Sequence, residues 1–247
     1  MTRRFEGKVA LVTGASRGIG YALAEALGNE GAHVIAVART VGGLEELDDS
    51  ITGSGGSATL VPLNITDSPG IDRLGAAIYE RWGKLDIVVG NAGVLGQLSP
   101  MGHIEPKSWD EVMAVNVTAN WRLIRSTDPL LRAADAGRAL FLSSSAAHSC
   151  KPYWGAYSAS KAALEALVRT YAAEMQNKSS VCVNLANPGP ARTAMRAKAM
   201  PGENPETLVK PAEIVAELLP LLEPSFTETG KLYDFPTRNI ISLEKAA

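Results

Sequence analysis

Short runs of aliphatic and β-branched residues alternate along this chain with longer segments of helical periodicity. The predicted strands cover residues 9–12, 34–37, 59–63, 87–89, 139–142, 181–185 and 231–235. The predicted helices cover residues 19–30, 41–50, 71–82, 109–131, 157–176 and 212–222. Because strands that alternate with helices pair in parallel and are covered on both faces, the sequence predicts an α/β fold with a doubly wound, mainly parallel, seven-stranded sheet.

The composition favours a single domain that acts on a small molecule. No low-complexity segment or charge block divides the 247 residues, so we predict one domain over residues 1–247. The 24 basic and 26 acidic residues form no basic stripe, which argues against nucleic-acid and membrane partners. The first apolar run is too short for a secretion signal or a membrane span, so we expect a cytoplasmic protein. Cys150 and Cys182 lack metal-ligand or redox spacing, so we expect ordinary thiols and no metal site.

A glycine-rich turn separates the first predicted strand from the first predicted helix. The segment contains Gly14, Ser16, Arg17, Gly18, Ile19 and Gly20. Glycines allow a sharp turn and let a pyrophosphate approach the helix N-terminus, where free N–H groups favour negative charge. The Gly-x-x-x-Gly-x-Gly spacing differs from the general dinucleotide fingerprint, and a plain structural turn is the alternative. The strand before it and the helix after it favour a dinucleotide site in a Rossmann-type sheet.

The end of the second predicted strand indicates which dinucleotide binds. An NAD-binding domain places an acidic residue there to hold the ribose hydroxyls. This chain instead has Val37-Ala38-Arg39-Thr40, without a carboxylate. Arg39 and Arg17 could bracket a 2′-phosphate through charge-assisted hydrogen bonds, so NADP(H) is predicted in preference to NAD(H). The alternative is that both arginines are ordinary solvated surface charges.

A tyrosine and a lysine lie four residues apart at the start of a predicted helix. Tyr157 and Lys161 share one helix face, which places the ammonium near the phenol. Lowering a tyrosine pKa from 10 to about 7 requires roughly 4 kcal/mol of phenolate stabilisation. Lys161 and an oxidised nicotinamide could supply it together, and Ser144 could donate to the substrate oxygen. The alternative for such a pair alone is a solvated helix face.

In combination these segments resemble the short-chain dehydrogenase/reductase family of the compact, single-domain type, from residue 8 to about 193 and more loosely beyond. The resemblance rests on the glycine turn, Asn91-Ala92-Gly93, Asn116, Ser144 thirteen residues before Tyr157 with Lys161, and Pro188-Gly189 with Thr193. Their order and spacing together are highly specific.

The resemblance implies a catalytic tetrad and a cofactor site. Tyr157 would be the general acid in reduction and Ser144 would polarise the carbonyl. Lys161 would lower the tyrosine pKa and bind the nicotinamide ribose, and Asn116 would shape the helix that orders a relay water. The cofactor would also contact the segments Asn91, Ala92 and Gly93, and Pro188, Gly189 and Thr193. The alternatives are that Asn116 only caps or kinks its helix and that Pro188-Gly189 is only a turn.

Two segments depart from the common pattern of the family. Asn64 followed by Ile65 stands where an aspartate commonly meets the adenine amine, and an amide can accept the same hydrogen bond. The end of the chain, 229–236, lacks the family's usual Asp-Gly-Gly turn, which argues against a ketoacyl reductase of fatty-acid synthesis.

The substrate end of the predicted site is less defined. Residues 194–210, rich in Met, Pro and Gly, lie where the family places its substrate lid. Further pocket lining is expected from Leu95, Gln97, His148 and Trp154, and His148 is a candidate extra acid. The substrate is expected to be a small carbonyl compound or alcohol of unspecified identity.

The resemblance also implies a homodimer or homotetramer that pairs the two long helices. The expected seam consists of Val112, Val115, Ala119, Leu123, Ala163, Leu167, Thr170 and Ala173, although these residues could equally face the sheet. The sequence thus predicts an NADP(H)-dependent oxidoreductase that transfers a hydride between the nicotinamide and a carbonyl or secondary alcohol. The alternatives are an NAD-dependent alcohol dehydrogenase and a non-catalytic nucleotide-sensing protein.

Overall fold

The structure is a computed structural model that describes residues 3–243. The predicted domain, 1–247, therefore begins and ends in residues outside the described ones. The strands are β1 (Val9–Thr13), β2 (His33–Ala38), β3 (Ser57–Pro62), β4 (Ile87–Gly90), β5 (Arg138–Leu142), β6 (Cys182–Asn187), β7 (Lys231–Asp234) and β8 (Asn239–Ser242). They form one sheet in the order β3-β2-β1-β4-β5-β6-β7-β8.

Helices connect the strands and cover both faces of the sheet. They are α1 (Gly18–Asn29), α2 (Val41–Gly53), α3 (Ser68–Trp82), α4 (Pro106–Met113), α5 (Ala119–Arg132), α6 (Ala146–Ser149), α7 (Gly155–Met175), α8 (Ala194–Ala199) and α9 (Pro211–Leu218). A π-helical turn, Ala114–Thr118, joins α4 to α5. Short 3₁₀ turns occur at Met101–His103, Pro205–Thr207 and Leu219–Leu222.

The doubly wound α/β prediction is confirmed, with one strand more than expected. Strands β1 to β7 pair in parallel, and β8 adds an antiparallel edge through a hairpin with β7. All four residues of β8 are exposed, so the strand has no buried side to produce an apolar pattern. Between β1 and β4 the strand order changes direction, and ligands bind at such switch points, outside the carboxyl ends of the strands.

Alternate side chains of the central strands point into two separate hydrophobic cores, one on each face of the sheet. On one face Val12, Val34 and Val89 pack with helices α1, α2 and α9. On the other face Leu11 and Phe141 pack with helices α3, α5 and α7. The strand residues are apolar on both sides because neither face of the sheet meets water, as the unbroken strand hydrophobicity predicts.

The predicted helix over 109–131 is continuous but contains the π-helical turn at Ala114–Thr118. The prediction that this helix contributes to the oligomer seam is wrong. Its four expected seam residues are buried inside the chain, as the alternative allowed: Val112, Val115, Ala119 and Leu123. Helical periodicity shows which residues share a face but not what that face packs against. On α7, Ala163 and Leu167 are half-buried, and Thr170 and Ala173 are exposed. No helix within residues 3–243 is both long and apolar enough to cross a bilayer.

Candidate active site

One cavity of about 1530 Å³ opens at the carboxyl edge of the sheet, next to the switch point between β1 and β4. It is lined by all but one of the residues predicted to bind the cofactor: Gly14, Ser16, Arg17, Gly18, Ile19, Arg39, Asn64, Ile65, Asn91, Ala92, Gly93, Tyr157, Lys161, Pro188, Gly189 and Thr193. The exception, Gly20, is buried. Segments far apart in sequence thus share one cleft.

The glycine turn connects β1 to α1 by a close approach of backbone segments. Gly14 has φ +68°, and a Cβ atom there would lie 2.8 Å from Nδ2 of Asn91. A Cβ atom at Gly20 would collide with the carbonyl of Gly14. The N-cap of α1 is Arg17, whose side chain makes no capping hydrogen bond. The first amides of α1 can therefore bind an anion, which fits the pyrophosphate of a dinucleotide.

Thr13 begins the glycine-rich turn, and although the sequence alone assigns it no role, it holds the two switch-point strands together. The Thr13 hydroxyl donates to the Val89 carbonyl and accepts from the backbone N–H groups of Asn91 and Ala92 at 3.0 and 3.1 Å. Asn91 in turn donates through Nδ2 to the Thr13 carbonyl at 2.8 Å. These bonds fix the Asn91-Ala92-Gly93 segment against the glycine turn. Only the tertiary pairing of β1 with β4 reveals them.

Arg17 and Arg39 are exposed on the wall of the cavity. Within residues 3–243 neither forms an ion pair with a carboxylate, so both guanidinium groups are available to an anionic ligand. Asn64 also lies on the wall, and its Oδ1 accepts from the Thr66 backbone N–H at 3.2 Å. The amide thus forms a local turn, and its remaining lone pair and Nδ2 face solvent.

Tyr157, Lys161 and Ser144 meet at the inner end of the cavity. Both α7 side chains are buried, and the Lys161 Nζ atom lies 5.7 Å from the centroid of the Tyr157 ring. Nζ also donates to the Leu142 carbonyl at 2.7 Å, which anchors the ammonium to the end of β5. The Ser144 hydroxyl accepts from the Ala146 backbone N–H at 3.2 Å. The three groups predicted from spacing are therefore brought together.

Burial acts on the pKa values of both groups that could move a proton. It raises the pKa of the Tyr157 phenol above its usual value, and the nearby Ser144 hydroxyl opposes that rise. It lowers the pKa of Lys161 to about 8, and the negative charge of Glu165 opposes that fall. Burial and the Ser144 hydroxyl therefore act on the Tyr157 pKa in opposite directions, and burial has the larger effect.

Asn116 lies in the π-helical turn and is fully buried. Its Oδ1 accepts from the Val94 backbone N–H at 2.8 Å, and its Nδ2 donates to the Val94 carbonyl and to the Ser160 hydroxyl, each at 2.9 Å. The Asn116 carbonyl accepts from the side chain of Asn120. Asn116 is not on the cavity wall. It holds the loop after β4 against α7, one residue before Lys161.

Asn187, which the sequence analysis did not select, supports both loops that face the cavity. Its Oδ1 accepts from the backbone N–H groups of Ser145 and Gly189, each at 3.1 Å. Its Nδ2 donates to Oδ1 of Asp234 at 2.6 Å. Gly189 has φ +66° and lies against Pro236 of the C-terminal hairpin. One buried amide therefore joins the serine loop, the Pro188-Gly189 loop and β7.

The substrate end of the cavity is apolar around the Tyr157 ring. The ring packs with side chains that include Trp154, whose ring centroid is 5.9 Å away in an edge-to-face arrangement. The rest of this cluster consists of Leu95, Ala146, Leu98, Met195 and Ala199. Leu95, Gln97 and Trp154 line the cavity as predicted. The prediction that His148 lines the cavity is wrong, because its imidazole lies off the cavity wall, with Nε2 at 2.9 Å from Glu165.

The segment predicted as a lid, 194–210, forms one side of the cavity and includes α8. Thr193 caps α8 by accepting from the Arg196 backbone N–H at 3.2 Å. Arg196 makes two hydrogen bonds to the Glu203 carboxylate, and Arg192 makes two to Glu206. Both ion pairs join residues close in sequence. They therefore stabilise the conformation of this segment and do not attach it to the sheet.

Comparison with known proteins agrees with this arrangement. A family model described as short chain dehydrogenase matches residues 8–204. The chain belongs to the short-chain dehydrogenase/reductase family. Among the members it resembles is an Escherichia coli protein named uncharacterized oxidoreductase YciK, with 38% identity over 231 residues, 92% of this chain and 91% of that protein. The oxidoreductase class and the fold predicted from sequence are thereby confirmed.

Solved structures of the family superpose closely on this chain. A short chain dehydrogenase from Shigella flexneri, complexed with NADP, has a TM-score of 0.90 at 36% identity, covering 95% of this chain and 99% of the other. One from Escherichia coli, complexed with NADPH, has a TM-score of 0.88 at 37% identity, covering 95% and 98%. These relatives bind the phosphorylated dinucleotide.

Proposed function

We propose that this short-chain dehydrogenase/reductase is NADP(H)-dependent and transfers a hydride between the nicotinamide and a carbonyl or secondary alcohol. The observation that carries the proposal is that Tyr157, Lys161 and Ser144 line the same cavity as the glycine turn. A proton donor, a cation and a hydroxyl therefore face the space next to a dinucleotide-sized cleft. Catalysis of carbonyl reduction requires a proton donor and polarisation of the oxygen.

Each polar group has a distinct part in the proposed reduction. NADPH, when bound, supplies the hydride to the carbonyl carbon. Tyr157 gives its phenolic proton to the carbonyl oxygen, and Ser144 donates a hydrogen bond to that oxygen as negative charge develops on it. The Lys161 ammonium stabilises the resulting phenolate and holds the ribose of the cofactor. In alcohol oxidation the same phenolate removes the hydroxyl proton.

Asn116 and the 194–210 segment complete the proposed site. Asn116 fixes the loop after β4 through Val94, and so sets the wall of the cavity opposite Lys161. Met195 and Ala199 of the segment join the apolar cluster around Tyr157, which supports its proposed role as a substrate lid. The apolar cluster would also exclude water from the reacting carbonyl.

The preference for NADP(H) over NAD(H) rests on charge at the mouth of the cleft. Arg17 and Arg39 are free to bind a 2′-phosphate, and no carboxylate follows β2 to bind the ribose hydroxyls instead. The NADP and NADPH complexes of the two relatives support the same preference. An NAD-dependent alcohol dehydrogenase is the second candidate.

The proposed function is tested by measuring NADPH oxidation with a panel of ketones, aldehydes, quinones and ketoacyl thioesters. Turnover of one substrate class is expected, with NADH supporting a slower rate at equal concentration. Turnover with NADH alone would favour the NAD-dependent alternative. Tight NADPH binding with no turnover across the panel would favour the nucleotide-sensing alternative.

Reversing the charge at Arg39 is expected to reverse the cofactor preference. Arg39→Asp removes a charge-assisted hydrogen bond to the 2′-phosphate and adds repulsion, so the Kd for NADPH should rise by about 10- to 100-fold. The new carboxylate can accept from the ribose hydroxyls, so NADH should bind as well as before or better. Fluorescence titration with both cofactors measures this effect.

The control for this variant is Arg81→Asp, which makes the same charge change at the end of α3, toward the opposite edge of the sheet. It should leave the ratio of the two Kd values unchanged. An unchanged ratio in Arg39→Asp would refute the assignment of Arg39 to the 2′-phosphate.

We further propose that the protein is a homodimer or homotetramer. The exposed side of α7 carries the small residues Thr170 and Ala173, and Trp121 of α5 is 44% exposed. An exposed tryptophan and a flat helix face are typical of protein interfaces. Light scattering should give a multiple of the 26.0 kDa chain mass. A single 26 kDa species would remove this proposal.

A further inference from the structure

A buried carboxylate lies behind the proposed catalytic pair and outside the cavity. Glu165 is on α7, one turn after Lys161, and is 5% exposed. Its Oε1 accepts from the Ser143 hydroxyl, and its Oε2 lies 2.9 Å from Nε2 of His148. A buried carboxylate is costly unless it has hydrogen-bond donors or a nearby cation. Ser143 supplies a hydrogen bond, His148 lies beside the other carboxylate oxygen, and Lys161 supplies the cation.

Among the groups packed around the Lys161 ammonium, Glu165 is the buried group that carries a charge. The end of β5 presents the Leu142 carbonyl and the neutral Ser143 and Ser144. The other elements packed against α7 contribute His148 from α6, Asn116 from the π-helical turn, Asn184 from β6, and the exposed Asp110 and Glu111 from α4. On α7 itself, Tyr157 is the titratable group whose ring lies near the ammonium.

We propose that Glu165 is a positioning residue of the proton-transfer site, whose negative charge keeps the buried Lys161 ammonium protonated at the pH of catalysis. Ser143 and His148 hold the carboxylate in place from the β5 and α6 sides. This inference rests on the proposed function, because it assigns Lys161 a charged role in that reaction. Glu165 itself touches neither substrate nor cofactor.

The electrostatics of the site support this assignment. Burial lowers the pKa of Lys161 to about 8, and Glu165 is the group that opposes the fall. The pKa of the Lys161 amine without that carboxylate would lie lower still. A neutral Lys161 cannot stabilise a phenolate and donates more weakly to a ribose hydroxyl.

The direction of the expected pH effect follows from proton counting. Lys161 and Tyr157 titrate as a pair, and the form that reduces a carbonyl has the ammonium charged and the phenol protonated. A nearby negative charge opposes loss of a proton from the pair. Removing that charge lets the pair lose its proton at lower pH. The alkaline limb of the reductase profile should therefore move to lower pH.

The test compares Glu165→Gln with the unmodified protein across a pH series. Gln keeps the shape and can still accept from Ser143, but it carries no charge. The pH at which kcat/KM for NADPH-dependent reduction is half-lost should fall by about 1 unit. Glu174→Gln removes the same charge from an exposed position on the same helix, and its profile should match the unmodified protein.

Two further measurements separate charge from structure and from the proposed function. Ser143→Ala removes a hydrogen bond to Glu165 and keeps the charge, so its alkaline limb should stay in place. NADPH affinity is followed by fluorescence over the same pH range. As pH is raised, it should begin to fall at a lower pH in Glu165→Gln than in the unmodified protein, even if no substrate is found. That result without turnover would uphold the role of Glu165 while rejecting the reductase. Profiles of Glu165→Gln at the same pH position as those of the unmodified protein in both assays, or equal shifts in Ser143→Ala, would overturn it.

Discussion

Tyr157→Phe is expected to lower kcat/KM for carbonyl reduction by about 10³-fold while leaving NADPH affinity within a fewfold of its original value. The phenol is the proton donor in the proposed reaction, and a phenylalanine ring has no proton to give to the carbonyl oxygen. The ring packs with Leu95, Ala146 and Trp154, and Phe preserves these contacts. The loss should therefore appear in the chemical step rather than in folding. Steady-state kinetics on the best substrate of the panel, with cofactor titration alongside, measures both quantities.

The matched control is Tyr171→Phe, which removes a hydroxyl from the same helix. The Tyr171 hydroxyl donates to Oδ1 of Asp128 at 2.8 Å and lies away from the cavity. This variant should lose thermal stability and keep its turnover number. If Tyr157→Phe retained more than about a tenth of the activity, another group would have to supply the proton.

Asn187→Leu is expected to destabilise the fold by about 3 kcal/mol or more and to disturb both loops that face the cavity. Leucine has a similar size but no polar atoms, so it leaves two backbone N–H groups and the Asp234 carboxylate without their partner. Because the freed amides belong to Ser145 and Gly189, KM for NADPH should rise and kcat should fall together. Denaturant unfolding and steady-state kinetics measure these effects.

Asn187→Asp distinguishes loss of the donor from loss of the acceptor. Aspartate can still accept from Ser145 and Gly189, but its carboxylate would face that of Asp234 across the former 2.6 Å hydrogen bond. One of two adjacent carboxyl groups has a raised pKa in the folded state. Such a variant is most stable at low pH and loses stability as pH rises through that pKa. Equal stability of this variant at pH 5 and pH 8 would contradict the pairing of residues 187 and 234.

The sequence predicts those parts of the molecule that depend on local pattern. The glycine turn, Arg39, and the spacing of Tyr157 and Lys161 each report on neighbouring residues along the chain, and the structure places them around one cavity. The strand and helix order follows for the same reason, since apolar runs of different length mark the two kinds of element.

What the sequence did not predict depends on contacts between distant segments. Asn187 reads as an ordinary residue at a strand end, and its partners Ser145 and Asp234 are 42 and 47 positions away. The contact of His148 with Glu165 forms only when α6 and α7 pack against each other. The rise in the Tyr157 pKa is a consequence of burial, which spacing cannot reveal.

The π-helical turn at Ala114–Thr118 makes this stretch a place where the chain can lose one residue without turning the flanking helices. A residue occupies about 100° of an α-helix, and a π turn accommodates one more residue than an α turn. Deleting a single residue there would therefore restore an uninterrupted α-helix and leave the faces of α4 and α5 in nearly their present orientation. The cost would be local, because the wider turn that brings the Asn116 side chain to Val94 would be lost. A relative that is one residue shorter here should keep the fold and lack this link between the helix and the loop after β4.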